Sequence, residues 1–201
     1  MEIITPTENM KKLIISTLAS LISLAAFAAT PIDLGSAGST PYDRYMAPVK
    51  QVLTHLPSNE SASMERVRQL MREGRGFRYA YTDPYTAASP VQTAQTRSGD
   101  CKAKALWLCD QLHDASVRFV IGKARASSNI SHAWVYWKHD SRWWILDCTN
   151  LSEPIPADKV SSSEYIPQYS FSKAGTYRHA ASQMLMASNT TSAAVASTGA
   201  R

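Results

Sequence analysis

Cysteine is scarce in this chain, three residues in 201, and none stand in a CxxC arrangement. That excludes a disulfide-built scaffold, and no Cys and His pair has the spacing of metal ligands. Long apolar runs are limited to one, from Leu13 to Phe27, which at about fifteen residues is shorter than the ~20 needed to cross a bilayer. A polytopic membrane protein is therefore excluded. There is no internal repeat, and no nucleic-acid motif accompanies the net charge of +5. With 44% hydrophobic and 18% charged residues the chain is neither disordered nor fibrous, and it carries apolar material for one globular domain but not two.

The ends carry little to bury. Lys11 and Lys12 precede the apolar run, which closes on Ala26-Phe27-Ala28, a signal-peptide pattern. Glu2 and Glu8 fit the start of a signal poorly, so Met10 is read as the true start. The expected organisation is a signal peptide over 1–28, a spacer over 29–40, a folded domain over 41–186 and a disordered tail over 187–201. The expected location is periplasmic or secreted, with an uncleaved N-terminal anchor as the alternative. No cysteine lies near the cleavage site to take a lipid. An odd number of cysteines in an exported protein leaves at least one thiol without an intramolecular partner.

Ser61 or Ser63 can cap a helix in which Met64, Val67, Leu70 and Met71 recur at three to four residues and which Gly74 and Gly76 stop. Arg68, Arg72 and Arg75 share one face of it. A solvated helix face is one reading of these arginines and attraction to an anionic partner the other. Phe77 to Tyr81 reads as a short extended piece, and Asp83-Pro84 with Ser89-Pro90 as a long irregular stretch. Ala105, Leu108, Cys109 and Leu112 then mark a helix buried along one side, with Ser98 or Asp100 as cap and Cys101 in its first turn. Three β-branched and aromatic runs follow: Arg118 to Gly122, His132 to Trp137, and Trp143 to Asp147. A helix followed by an antiparallel meander is an α+β arrangement.

A thiol attacks only as thiolate, and a free pKa of ~8.5 leaves little of that form at neutral pH. In the first helical turn Cys101 meets the positive end of the helix dipole and unpaired N–H groups, which favour the anion and can donate to an oxyanion. Gly99 before it lets substrate approach the backbone. An active thiol also needs a base, and the base an orienter. His132 opens one strand and Asp147 closes the next, so a short hairpin brings both to one end of the sheet. Each residue also has a plain structural reading, as a buried thiol, a hydrogen-bonded histidine and a turn-forming aspartate.

Gly99-Asp100-Cys101 opening an Ala- and Leu-rich helix, His132-Ala133-Trp134-Val135 on a strand and Trp144-Ile145-Leu146-Asp147 on the next resemble the transglutaminase-like superfamily of the papain-like fold. The branch resembled most is the bacterial transglutaminase-like cysteine proteinases, and the likeness runs from Met64 to Thr149. It implies a nucleophile helix packed on an antiparallel sheet, and a catalytic domain within 41–186. It also implies Cys101 as nucleophile, His132 as general base and acid, and Asp147 as the residue holding the imidazole. Gln95, six residues before Cys101, has a spacing similar to the oxyanion glutamine of papain-like enzymes; Gln92 competes for that role.

The departures also count. The resembled proteinases carry acidic residues directly after the cysteine that help to bind calcium. Lys102 and Ala103 stand there instead, so neither a metal nor another cofactor is expected. Cys148 replaces a proline after the aspartate, and Ala87-Ala88-Ser89 stands where a tryptophan is usual. Cys109 and Cys148 could form a disulfide that leaves Cys101 free, although strand alternation turns Cys148 from the helix if Asp147 faces it. The resulting expectation is an exported cysteine hydrolase acting on an amide in a protein or peptide. Acyl transfer to an amine on the same residues is one alternative, a non-catalytic binding module of the same fold another.

Overall fold

Ser63 and Asp100 each start a helix by the side-chain bond their position calls for. The Ser63 Oγ accepts the Arg66 N–H at 3.2 Å and the Asp100 carboxylate accepts the Ala103 N–H at 3.1 Å. These residues open α2 (Met64–Arg75) and α4 (Cys101–Leu112), preceded respectively by α1 (Ala47–His55) and α3 (Pro90–Thr96). The computed structural model describes residues 33–82 and 85–180; the expected signal peptide and tail lie outside them. Among the described residues no helix is long and apolar enough to cross a membrane.

One sheet backs the helices. Its order is β1 (Asp33–Ser36), β9 (Gly175–His179), β8 (Glu164–Ser172), β4 (Val117–Arg125), β5 (His132–His139), β6 (Arg142–Leu146) and β7 (Ile155–Pro156), antiparallel throughout. β2 (Arg78–Tyr79) and β3 (Ser98–Gly99) form a separate parallel pair. The fold is the α+β class expected, with the Cys101 helix packed on an antiparallel sheet.

Several expectations change. Helix α4 is buried around most of its girth: Lys104, Leu106 and Trp107 are enclosed as well as Leu108, Cys109 and Leu112. The other three helices and strand β5 all contact it, so its hydrophobic stripe understates its burial. Lys104 is tolerated there because its Nζ donates to the carbonyls of Gly74 at 3.1 Å and Phe77 at 2.7 Å, at the end of α2. The stretch read as irregular holds α3, with Ser89 as cap and Pro90 in its first turn. The expected spacer contributes β1, paired with β9, so the folded unit reaches back to Asp33.

The sheet has two different faces. Ala133, Val135 and Trp137 point into the helix-side core with Phe119 and Leu146, while Trp134, Tyr136 and Ile145 join Val120 and Ala157 on the other side. Cys148 lies in the helix-side core, which reverses the expected sense of alternation at the end of β6. All three thiols are free, so the Cys109–Cys148 bridge is not formed. Gly122 sits opposite His132 where the β4–β8 register shifts. A Cβ there would come within 2.2 Å of the Ile166 carbonyl oxygen and 2.8 Å of the Trp134 ring.

Candidate active site

The end of the sheet next to the start of α4 brings the three expected residues together. Cys101 is the first residue of α4 and half-buried, His132 the first of β5, and Asp147 follows β6 directly. Leu146 pairs with Val135, and continuing that register sets Asp147 beside Trp134 and diagonal to His132 on the same face. The His132 Nε2 and Asp147 Oδ2 are 2.8 Å apart. Cys101 adjoins the imidazole as well and adds to the rise of its pKa.

Asp147 divides its work between its two oxygens. Oδ1 accepts the backbone N–H groups of Thr149 at 3.0 Å and Asn150 at 3.4 Å, the turn-forming role of an aspartate at a strand end. Oδ2 takes His132, the Asn150 side-chain amide at 2.7 Å and the Tyr165 hydroxyl at 2.9 Å. The structural and functional readings of this residue thus coexist. Burial works to raise its pKa, but the His132 bond and charge and the other donors win, so it stays below the ordinary carboxylate value. Burial likewise disfavours the charged form of His132. The bonds and charges of Asp147 and Cys101 outweigh it and raise the imidazole to about 10.

Asn150 and Tyr165 were not among the sequence candidates. Asn150 follows Asp147 by one turn and carried only a loop signal. Tyr165 lies on β8, which the sequence reading did not assign. Its backbone takes a left-handed φ of 45°, and its ring stands edge-on to Trp134 at 5.5 Å. Such a conformation costs of order 1 kcal/mol or more in a non-glycine residue, and the packing and the hydroxyl bond to Asp147 hold it.

Gln95 is not brought into the site. α3 turns Pro90 and Thr93 inward and leaves Gln92 and Gln95 exposed, and neither glutamine lines the cleft at Cys101. The thiol stands at the first-turn N–H groups of α4. The Ala103 N–H is taken by the Asp100 carboxylate and the Lys104 N–H by the Asp100 carbonyl. Those of Cys101 and Lys102 are among the groups an α-helix leaves without an intrahelical partner. Gly99 is buried, and a Cβ there would come within 2.9 Å of Ala103; its service is close packing rather than substrate access.

Asp100 also splits its oxygens, with Oδ1 on the helix cap and Oδ2 on the Lys102 ammonium and on Thr82. Lys102 lies over the Tyr81 ring as well. An ammonium on the carboxylate next to Cys101, with Ala103 beyond it, is not a donor set for calcium. Among the described residues no cluster of His, Cys, Asp and Glu could hold a metal. The expected arginine face pairs with acids: Arg68 and Arg72 each reach Glu65 and Glu153.

A helix opened by Cys101 and packed on an antiparallel sheet, with Cys101, His132 and Asp147 converging at one end, is the arrangement of a family. Residues 49–148 match the transglutaminase-like superfamily, and the chain belongs to it. Similar solved structures include Legionella pneumophila LapG, 19% identical over 70% of this chain and 81% of that one, with a TM-score of 0.47. Its EGTA-treated form is 18% identical over 70% and 78%, also with a TM-score of 0.47. A candidate cysteine protease from Cytophaga hutchinsonii is 17% identical over 64% of this chain and 48% of that one, with a TM-score of 0.37. No curated protein matches the sequence.

Proposed function

We propose that the protein is a cysteine peptidase that cleaves an amide through Cys101, His132 and Asp147. The observation that carries this reading is His132 held by Asp147 at 2.8 Å, with Cys101 and His132 together on the wall of one open cleft. A histidine raised to about 10 holds the proton it takes from the Cys101 thiol, which leaves the sulfur free to attack.

The Cys101 sulfur adds to the carbonyl carbon, and the oxygen takes the displaced electron pair while facing the first-turn N–H groups of α4. Collapse restores the carbonyl and breaks the C–N bond, and the amine leaves with the His132 proton. Water then attacks the thioester, giving its proton back to His132. The C–S bond breaks to release the acid and restore the starting pair. Asp147 holds the imidazole throughout, itself steadied by Asn150 and Tyr165. Export through residues 1–28 belongs to the same proposal.

The test is iodoacetamide alkylation with peptide mapping on the wild type and on His132→Ala. The expected result is fast modification of Cys101 that slows sharply in the variant. Modification no faster than that of a free thiol, and unchanged by the substitution, overturns the proposal.

A further inference from the structure

The cleft beside Cys101 has a volume of about 490 Å³, within the ~300–1,000 Å³ of cavities that enclose a ligand. Its inner wall is apolar: Met46, Val49, Phe119 and Ile121 line it and are themselves buried at their backs. Its rim is unusual in another way. Tyr79, Tyr81, Tyr85 and Ile130 all line it and are all strongly exposed; beyond them, only Leu34 and Val91 are exposed large hydrophobics among the described residues. Single exposed apolar side chains are ordinary, but a concentration around one cavity marks a binding surface. Ile130, the most exposed at 76%, is next to Ser131 and so two residues from His132.

The charges in the cleft cancel. Lys102 and Asp100 are paired with one another, and His132 is engaged by Asp147. A charged substrate side chain would exchange its hydration for an apolar wall, which is costly without a partner. The arginines of α2 are not among the residues lining this cleft. We propose that the cleft is a specificity subsite for a peptide segment carrying a large uncharged aromatic or branched aliphatic side chain beside the scissile amide. This rests on Cys101 being the nucleophile that faces the segment. The inner wall takes the side chain, and the tyrosine rim covers the adjoining residues.

The test uses Cys101→Ala, which cannot turn over, and four capped tripeptides, acetyl-Ala-X-Ala-amide with X as Phe, Leu, Glu or Lys, in equilibrium titrations. The Phe and Leu peptides are expected to bind at least about tenfold more tightly than the Glu and Lys peptides. The preference is expected to shrink when Tyr81→Ser and Ile130→Ser are added; both positions are exposed, so the fold tolerates them. Equal affinities, a preference for Glu or Lys, no measurable binding of any peptide, or a preference untouched by the rim substitutions each overturns the subsite. Failure of the catalytic reading shows separately. A strong Phe preference with a sluggish Cys101 in the alkylation assay keeps the groove and removes the peptidase, and fast His132-dependent alkylation without preference does the reverse.

Discussion

Helix α4 carries two cysteines in opposite circumstances. Cys101 opens the helix, half-buried at the cleft that His132 also lines. Cys109, on the same helix, is fully enclosed, and burial pushes its thiol far above the ordinary value. Cys148, enclosed in the same core, is pushed up to about 12, with burial the main cause and the Asp147 charge adding to it. The residue type is constant, so the difference lies in position. At the first turn a thiol has free backbone donors and an imidazole; further along it has only hydrocarbon, and the anion is excluded. Cys109 and Cys148 are therefore packing residues, and the contrast with Cys101 can be broken or sharpened at each contributing group.

His132→Ala should produce the largest effect, removing the imidazole that carries the proton in the proposed mechanism. Peptidase turnover is expected to fall by about 10²–10⁴-fold, with Cys109 and Cys148 still unmodified by iodoacetamide in the folded protein. Reaction of either buried thiol at the Cys101 rate would erase the contrast. Stability should also respond. A histidine at about 10 in the fold and about 6.5 unfolded stabilises fully below about 6.5 and loses that contribution as the pH rises through 10. Thermal melts of the wild type should therefore decline across that interval, and those of His132→Ala less steeply.

Cys109→Ser exchanges a buried thiol for a hydroxyl with no partner in the core. The expected cost is about 1–3 kcal/mol, roughly 2–4 °C of Tm for each kcal/mol, with turnover per folded molecule unchanged. A loss of activity without a loss of stability would show that Cys109 does more than pack.

The same contrast explains how much was legible. Cys101, His132 and Asp147 could be named because each stands at an element boundary, where capping and alternation rules are specific. Asp100 as cap and the α2 periodicity were readable for the same reason. The supports were not, because they arrive from distant strands. Tyr165 reaches Asp147 from β8, where Pro167 interrupts the strand signal opposite Gly122. Strand β1 has almost nothing in its Asp-Leu-Gly-Ser sequence to announce it; its pairing is supplied by β9. α3 was readable but misread: Ser89-Pro90 reads as part of an irregular stretch, although a capping serine before a first-turn proline also begins a helix. Gln95 rested on its spacing from Cys101 alone, and the helix leaves that residue exposed.

Tyr165→Phe tests the support directly. It removes one donor from Asp147 Oδ2 and keeps the ring against Trp134. Turnover should fall by about tenfold, near the value of one hydrogen bond to a charged group. The donors hold the Asp147 carboxyl down against burial, so losing one raises it, and the acid limb of the turnover profile should move to higher pH. An unshifted limb would make Tyr165 a packing residue only.

The smallest effect expected is that of calcium, and its smallness is informative. Chelation with EGTA should leave Tm where it is in millimolar calcium, whereas a bound ion at about 100 times its Kd would add ~2.7 kcal/mol. The reason lies in Lys102, whose ammonium lies over the Tyr81 ring and already neutralises the Asp100 carboxylate that also holds Thr82 at the start of α4. A cation supplied by the chain needs no supply from solution. Lys102→Glu inverts that charge and sets two carboxylates side by side, which should lower Tm and make the loss partly recoverable by millimolar calcium. If Lys102→Glu is as stable as the wild type in EGTA, the ammonium is incidental, and the ordering of Cys101 must come from the Asp100 cap alone.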